Sequence, residues 1–95
     1  MSVRFEWDKN KAAANLKKHR VSFDEARTVF NDPLARIFDD EEHSRYEQRE
    51  IIIGHSVTQR LLLICFSERG EVIRIISARP ATRREQRDYE TNVIF

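Results

Sequence analysis

The sequence predicts a single small α+β domain spanning residues 1–95. N-terminal helices pack on an antiparallel β-sheet, and a short C-terminal helix closes the chain. Three observations predict it. A chain of 95 residues buries roughly 60–70% of the surface it would expose unfolded, enough for one core. Two helix-start signatures stand within the first 25 residues. Three β-branched runs follow, about ten residues apart and separated by short polar turns. With only two Gly and two Pro, long linkers and low-complexity arms are excluded.

Val3-Arg4-Phe5-Glu6-Trp7 alternates apolar and polar residues, the period of a strand. Asp8 is a fitting N-cap for a helix from Lys9 to about His19. Ala12, Ala13 and Leu16 would form its buried face. Lys11, Asn15 and Lys18 would form a polar, basic stripe aimed at solvent or at a phosphate. Ser22-Phe23-Asp24-Glu25 is a capping box for a second helix that buries Phe23, Ala26 and Phe30. Asn31-Asp32-Pro33 ends it, because the residue before proline is pushed out of helical geometry. Strands are expected over 34–38, 49–55, 60–67 and 72–78, the later three as an antiparallel meander. The unbroken apolar run 61–66 suits a central strand covered on both faces. Thr82-Arg83-Arg84-Glu85 opens a last helix. Its only apolar contacts are Tyr89 and Val93, so it should pack weakly at the edge of the domain or against a partner.

The net charge of +1 argues against a uniformly basic surface. The average hides a pattern of +4 over residues 1–20, −5 over 21–50 and +2 over 51–95. The run Asp39-Asp40-Glu41-Glu42 reads as a solvated loop; it lacks the spacing and turn glycine of a calcium loop. Cys65 lies in an apolar run and reads as a small core residue. The first residues lack the apolar region of a secretory signal, and no run approaches the roughly 18 apolar residues of a membrane span. A cytoplasmic protein is expected.

No phosphate-binding Gly-rich loop, nucleophile elbow or zinc-protease motif is present. His19, His43 and His55 share no ligand-like spacing with Cys65, so neither metal nor cofactor is expected. Arginines stand out on or beside the strands: Arg49, Arg69, Arg74 and Arg79. Strict alternation places Arg74 on one face and Arg79 on the other. Arg74, between apolar neighbours, needs an anionic partner. That partner is either a carboxylate (Glu47, Glu50 or Glu68) or a phosphodiester, which suits guanidinium geometry. His19 reads as a helix-terminal cation. His43, in a polar loop, is either a solvated histidine or an acid–base group.

Phe5-Glu6-Trp7-Asp8, Lys11, Asn15, Lys18-His19 and Ser22-Phe23-Asp24-Glu25-Ala26 together resemble the opening of the BrnT family. The likeness continues through Phe30, Asp32-Pro33, Asp39, His43 and Arg49. It closes with Glu68-Arg69, the run from Ile73 to Arg79, and Ala81-Thr82-Arg83-Arg84-Glu85 up to Tyr89. It thus covers residues 5 to about 90. The resemblance implies a toxin of a type II toxin–antitoxin module: a small ribonuclease of RelE-like fold that needs no metal. It also implies a partner, a BrnA-type ribbon-helix-helix antitoxin, in a higher-order complex that reaches operator DNA only through the antitoxin. Two positions depart from the family pattern. Arg20 stands where Gly is usual, and Gln48 where the residue before Arg49 is commonly acidic.

On this resemblance Arg69, Arg74 and Arg79, assisted by Arg49, would stabilise the charge that develops on phosphorus. His43 would carry the acid–base work, with Glu47 as the fallback base. Lys11, Lys18, His19, Arg83, Arg84 and Arg87 would hold the RNA backbone or acidic segments of the antitoxin. The rival reading is a non-catalytic RNA- or protein-binding module on the same fold that serves mainly as partner of a DNA-binding antitoxin.

Overall fold

The computed structural model describes residues 3–43 and 47–93, Asn92 and Val93 by backbone alone. Strand β1 (Arg4–Glu6) leads into helix α1 (Lys9–His19). The Asp8 carboxylate caps α1, accepting from the backbone N–H of Asn10 (2.8 Å) and Lys11 (3.1 Å). The helix ends at Arg20, which adopts the left-handed conformation with φ 59°. A Cβ there costs roughly 1–2 kcal/mol, which explains why Gly suits this position. Arg20→Gly should therefore raise stability by about 0.5–1 kcal/mol, after the larger entropy of the glycine in the unfolded chain is subtracted. A thermal melt should show the midpoint rising by several degrees. An unchanged or lower midpoint would mean that Arg20 makes compensating contacts.

Helix α2 (Phe23–Arg27) continues as a 3₁₀ turn over Thr28–Asn31. The expected capping box is only half made. Ser22 Oγ accepts from the Glu25 N–H at 3.0 Å, but the Glu25 carboxylate turns away from Ser22. It accepts from Ser56 Oγ (2.7 Å), Thr58 Oγ1 (2.6 Å) and Arg60 Nε (3.0 Å), and pairs with Arg60 Nη2. Arg60 Nη2 also donates to the Arg20 carbonyl at 2.9 Å. One ion pair thus ties the end of α1 and the start of α2 to a turn of the sheet.

The Arg60 guanidinium, helped by the two hydroxyls, pulls Glu25 from the usual 4.5 to about 2. A depressed carboxylate adds stability that is complete above pH 4.5 and lost as pH falls toward 2. The Glu25 side chain is only 14% exposed, so little of this is screened, and the contribution is about 2–3 kcal/mol. Glu25→Gln should lower stability by that amount at pH 7 and flatten its fall between pH 4.5 and 2. Urea titrations across that range measure it. A variant with the parent's acid slope would contradict the assignment.

Strands β2 (Arg36–Asp39), β3 (Glu50–His55), β4 (Leu61–Arg69) and β5 (Val72–Pro80) follow, then helix α3 (Arg83–Val93). The sheet order is β1-β5-β4-β3-β2. The meander β3 to β5 is antiparallel, as expected, and β2 extends it antiparallel to β3, but β1 joins β5 in parallel, with Phe5 opposite Ile73. The sheet is therefore mixed. Strand direction at that edge is set by the crossover through the whole domain, which no local pattern records. β4 is the central strand. Leu62, Ile64 and Phe66 are fully buried on one face, while Leu61, Leu63 and Cys65 are half-buried on the other. One face thus carries the core, under Val21, Phe23, Ala26 and Val29. The other stays open apart from α3. Tyr89 anchors α3: it is buried, and its hydroxyl donates to the Leu34 carbonyl at 3.0 Å. The side chain of Val93 lies outside the described residues.

Two further expectations are corrected. Leu16 is 48% exposed, and Asn15, expected in a solvent-facing stripe with Lys11 and Lys18, is buried at 8%. Its amide donates to the carbonyls of Val21 and Ala78, both at 2.9 Å, and accepts from the Ala78 N–H at 3.1 Å. α1 thus docks on β5 through a polar residue whose groups are satisfied. The second correction concerns register. β4 and β5 slip between Cys65 and Phe66: Cys65 faces Ser77, yet Phe66 faces Ile75. The bulge makes Ile73, Ile75 and Ala78 the buried set. Arg74 and Arg79, expected on opposite faces, therefore share the open one.

Candidate active site

Asp40 directly follows the edge strand β2 and is buried at 8%, unlike the solvated loop residue expected from the acidic run. Its N–H donates to the Arg49 carbonyl at 2.9 Å, which extends the β2–β3 pairing beyond the strands. A 3₁₀ turn over Glu41–His43 then brings His43 back over it. His43 Nδ1 lies 3.0 and 3.1 Å from the two Asp40 oxygens. A carboxylate on Nδ1 fixes the ring's orientation and directs Nε2 outward, the arrangement of an oriented acid–base histidine. The side chain is 61% exposed. Beneath Asp40 sits Cys65, with Sγ 3.5 Å from Oδ2. Burial, then the hydrogen bond and charge of Asp40, push the Cys65 thiol up to about 11, which removes it as a nucleophile.

Glu47 and Arg49 lie near enough for their charges to act on that thiol. The Glu47 carboxylate accepts from Arg69 Nη2 at 2.9 Å and lies 3.8 Å from Arg49 Nε. Arg69 stands at the end of β4, next to Gly70, whose φ of +59° makes the tight turn into β5. The Arg69 side chain is 77% exposed. An ion pair so exposed is worth only about 0–1 kcal/mol, so an incoming phosphodiester can take the guanidinium from Glu47 at small cost. Arg74, opposite Ser67, lies on the same face near this end. Its carboxylate partner is Glu6 on β1, at 3.1 Å, rather than any of the three glutamates expected. Gln48 Nε2 donates to Asp39 at 3.3 Å.

Five of the six residues expected to do chemistry thus gather at one end of the open face: His43, Glu47, Arg49, Arg69 and Arg74. Arg79 does not. It pairs across the strand with Leu63, five residues beyond Arg74 and roughly 15 Å away along the sheet. Both of its terminal nitrogens donate to Glu85 at 2.8 Å. The Arg79 guanidinium, then the Thr82 N–H, draw Glu85 down to about 2. Glu85 also completes the expected capping box, accepting from the Thr82 N–H at 2.8 Å while Thr82 Oγ1 accepts from the Glu85 N–H at 3.1 Å. Of the expected backbone-holding set, Lys11, Lys18, Arg83, Arg84 and Arg87 are exposed and His19 is half-buried. They lie on α1 and α3 rather than beside the cluster.

Asp40 is the residue that sequence reasoning missed. The signal was the spacing Asp40…His43, which places two side chains on one side of a tight turn. Among the described residues no group of three or more His, Cys, Asp or Glu side chains is placed to hold a metal ion, and no helix is long and apolar enough to cross a membrane.

Residues 7–85 match the family model described as "Ribonuclease toxin, BrnT, of type II toxin-antitoxin system". The fold is similar to the 1.1 Å crystal structure of the Brucella abortus ribonuclease toxin BrnT. The TM-score is 0.68 at 21% identity, over 86% of this chain and 100% of that one. No curated protein matches the chain.

Proposed function

The chain belongs to the BrnT family of ribonuclease toxins of type II toxin–antitoxin systems, and from that premise we propose that it cleaves RNA without a metal ion, at the end of the open sheet face where His43 meets the arginines. The observation that carries this reading is the His43–Asp40 pair beside Glu47, Arg49 and Arg69. RNA supplies its own nucleophile. The 2′-hydroxyl loses its proton and attacks the adjacent phosphorus, the bond to the 5′-oxygen breaks, and that oxygen is protonated. A 2′,3′-cyclic phosphate and a 5′-hydroxyl result. His43, oriented through Nδ1, moves protons through Nε2. Glu47 is the second proton acceptor within the cluster. Arg69, Arg49 and Arg74 face the phosphorane, whose added negative charge they stabilise. Arg79, locked to Glu85, acts only if α3 releases it.

The partner is a ribbon-helix-helix antitoxin of BrnA type. It neutralises the toxin in the cytoplasm and carries the complex to operator DNA. Lys11, Lys18, His19, Arg83, Arg84 and Arg87 serve as contacts for RNA backbone or for acidic antitoxin segments. Alanine variants expressed without antitoxin test the assignment. Arg69→Ala and Arg74→Ala should relieve growth arrest and lower cleavage of a defined RNA in EDTA about 10²-fold or more. Arg79→Ala should have the smallest effect of the three. Full toxicity of Arg69→Ala would remove the cluster from the mechanism.

A further inference from the structure

β2 is an edge of the sheet, because the strand order ends on it. All four of its residues, Arg36-Ile37-Phe38-Asp39, are exposed. Phe38 faces Ile51, which faces Cys65, so Phe38 and Arg36 lie on the open face and Ile37 and Asp39 on the other. Ile37 is 55% exposed and Phe38 49%. Proteins commonly blunt such an edge with lysine, proline or a bulge, because it can pair with another chain. β2 has none of these.

The register decides which backbone groups the edge offers. The Asp40 N–H donates to the Arg49 carbonyl. Alternation along the ladder then turns the N–H and C=O groups of Phe38 and Arg36 toward β3 as well. Those of Ile37 and Asp39 point outward, and among the described residues no strand takes them.

The order of charges selects the occupant. Arg36 stands at the start of β2, and the exposed acids Asp39, Glu41 and Glu42 stand at and beyond its end. A second β2 running antiparallel sets each arginine against the acidic end of the other copy. A parallel one would set like charges side by side, which is unfavourable. A two-fold axis perpendicular to the sheet keeps each face on its own side, so opposed residues must come from the same face. An axis at Phe38 meets that condition. It sets Ile37 opposite Asp39 of the second copy, and these are the residues whose backbone groups point outward. Each such pair can exchange both of its N–H···O=C bonds. The two Phe38 rings meet at the axis on the open face.

We infer that β2 is a self-association edge, through which two copies of this chain pair antiparallel about an axis at Phe38 and join their sheets into one. The contact is isologous. A strand this short buries much less than the roughly 1,600 Å² of a standard interface, so the dimer is transient and depends on concentration. Its arginine–acid contacts are exposed, so salt weakens it. In each copy Asp40 lies two residues from the axis, about 7 Å along the strand. The two His43 ends therefore sit side by side on one continuous face.

Sedimentation of the full chain, from micromolar to millimolar concentration, tests this. The mean mass should rise toward that of two chains, and added salt should oppose the rise. Ile37→Pro removes an outward N–H and leaves the β3 ladder intact, so it should weaken association about tenfold or more. Arg36→Glu should weaken it as well. Phe38→Cys should form an intermolecular disulfide on mild oxidation, because opposed residues in a non-hydrogen-bonded pair lie about 4.5 Å apart at Cα. Ile37→Cys, opposite Asp39, should not, nor should the parent chain, whose Cys65 is half-buried. The cross-link keeps the test open if Ile37→Pro does not fold. A chain that stays monomeric at millimolar concentration and gives no Phe38→Cys cross-link overturns the proposal. So does a dimer indifferent to Ile37→Pro, or one cross-linked by Ile37→Cys in place of Phe38→Cys. Strand pairing at β2 only when an antitoxin is added would identify the edge as an antitoxin site and overturn the proposal too.

Discussion

His43→Ala should lower the rate of RNA cleavage by about 10²–10⁴, the range that positioned acid–base groups supply. The fold should be untouched, because the imidazole is mostly exposed and its hydrogen bond runs to Asp40 in a surface turn. Asp40→Asn should cost less, about tenfold or more, by loosening the ring and its tautomer. The two losses should not add, since the second residue acts through the first. Rates for the single and double variants, with circular dichroism to confirm folding, measure the coupling. Additive losses would mean that Asp40 and His43 work separately, and the oriented-histidine reading would fail.

Asn15→Ala should be the most destabilising of the polar substitutions, by about 2–4 kcal/mol. The substitution strands three backbone groups at once: the Val21 carbonyl and both polar groups of Ala78. Each buried group without a partner costs roughly 1–3 kcal/mol, less where water enters. Asn15→Asp keeps the acceptor for the Ala78 N–H but loses the donors, and buries a carboxylate between two carbonyls, so it should be no better. Denaturant unfolding reads both. A loss below about 0.5 kcal/mol, the range of ordinary surface substitutions, would show that α1 is held on β5 by its apolar contacts alone.

Asn15 also shows where sequence reading stops. The helix was legible from its cap and length, but its buried face was not. Apolar periodicity chose Leu16, which is exposed, because a pattern of apolar residues cannot register a polar one whose hydrogen bonds are all met. The strands were legible within a residue or two, and so was the central place of β4. The bulge beside Cys65 was not, since period-two alternation has no term for an extra residue. It is that extra residue which brings Arg74 and Arg79 to one face. The parallel seating of β1 was hidden for a different reason: it depends on a partner almost 70 residues away, Glu6 against Arg74.

The site divides in the same way. The residue types and the strand ends that gather His43, Glu47, Arg49 and Arg69 could be read from the motifs. The burial of Asp40 could not, because an acidic run looks solvated until a 3₁₀ turn folds one member inward. Nor could the Arg79–Glu85 pair be read, although the capping-box glutamate itself was in plain view. Its second oxygen needed a partner, and Arg79 is the guanidinium within reach.

The central claim is that side chains alone, at one end of the open sheet face, drive attack by the 2′-hydroxyl of RNA. Its most direct measurement is the chemistry of the cut ends. A defined single-stranded RNA, incubated in EDTA with the full chain freed of antitoxin, should yield 2′,3′-cyclic phosphate and 5′-hydroxyl termini. Cleavage that needs added magnesium, or that leaves 5′-phosphate termini, would contradict the account.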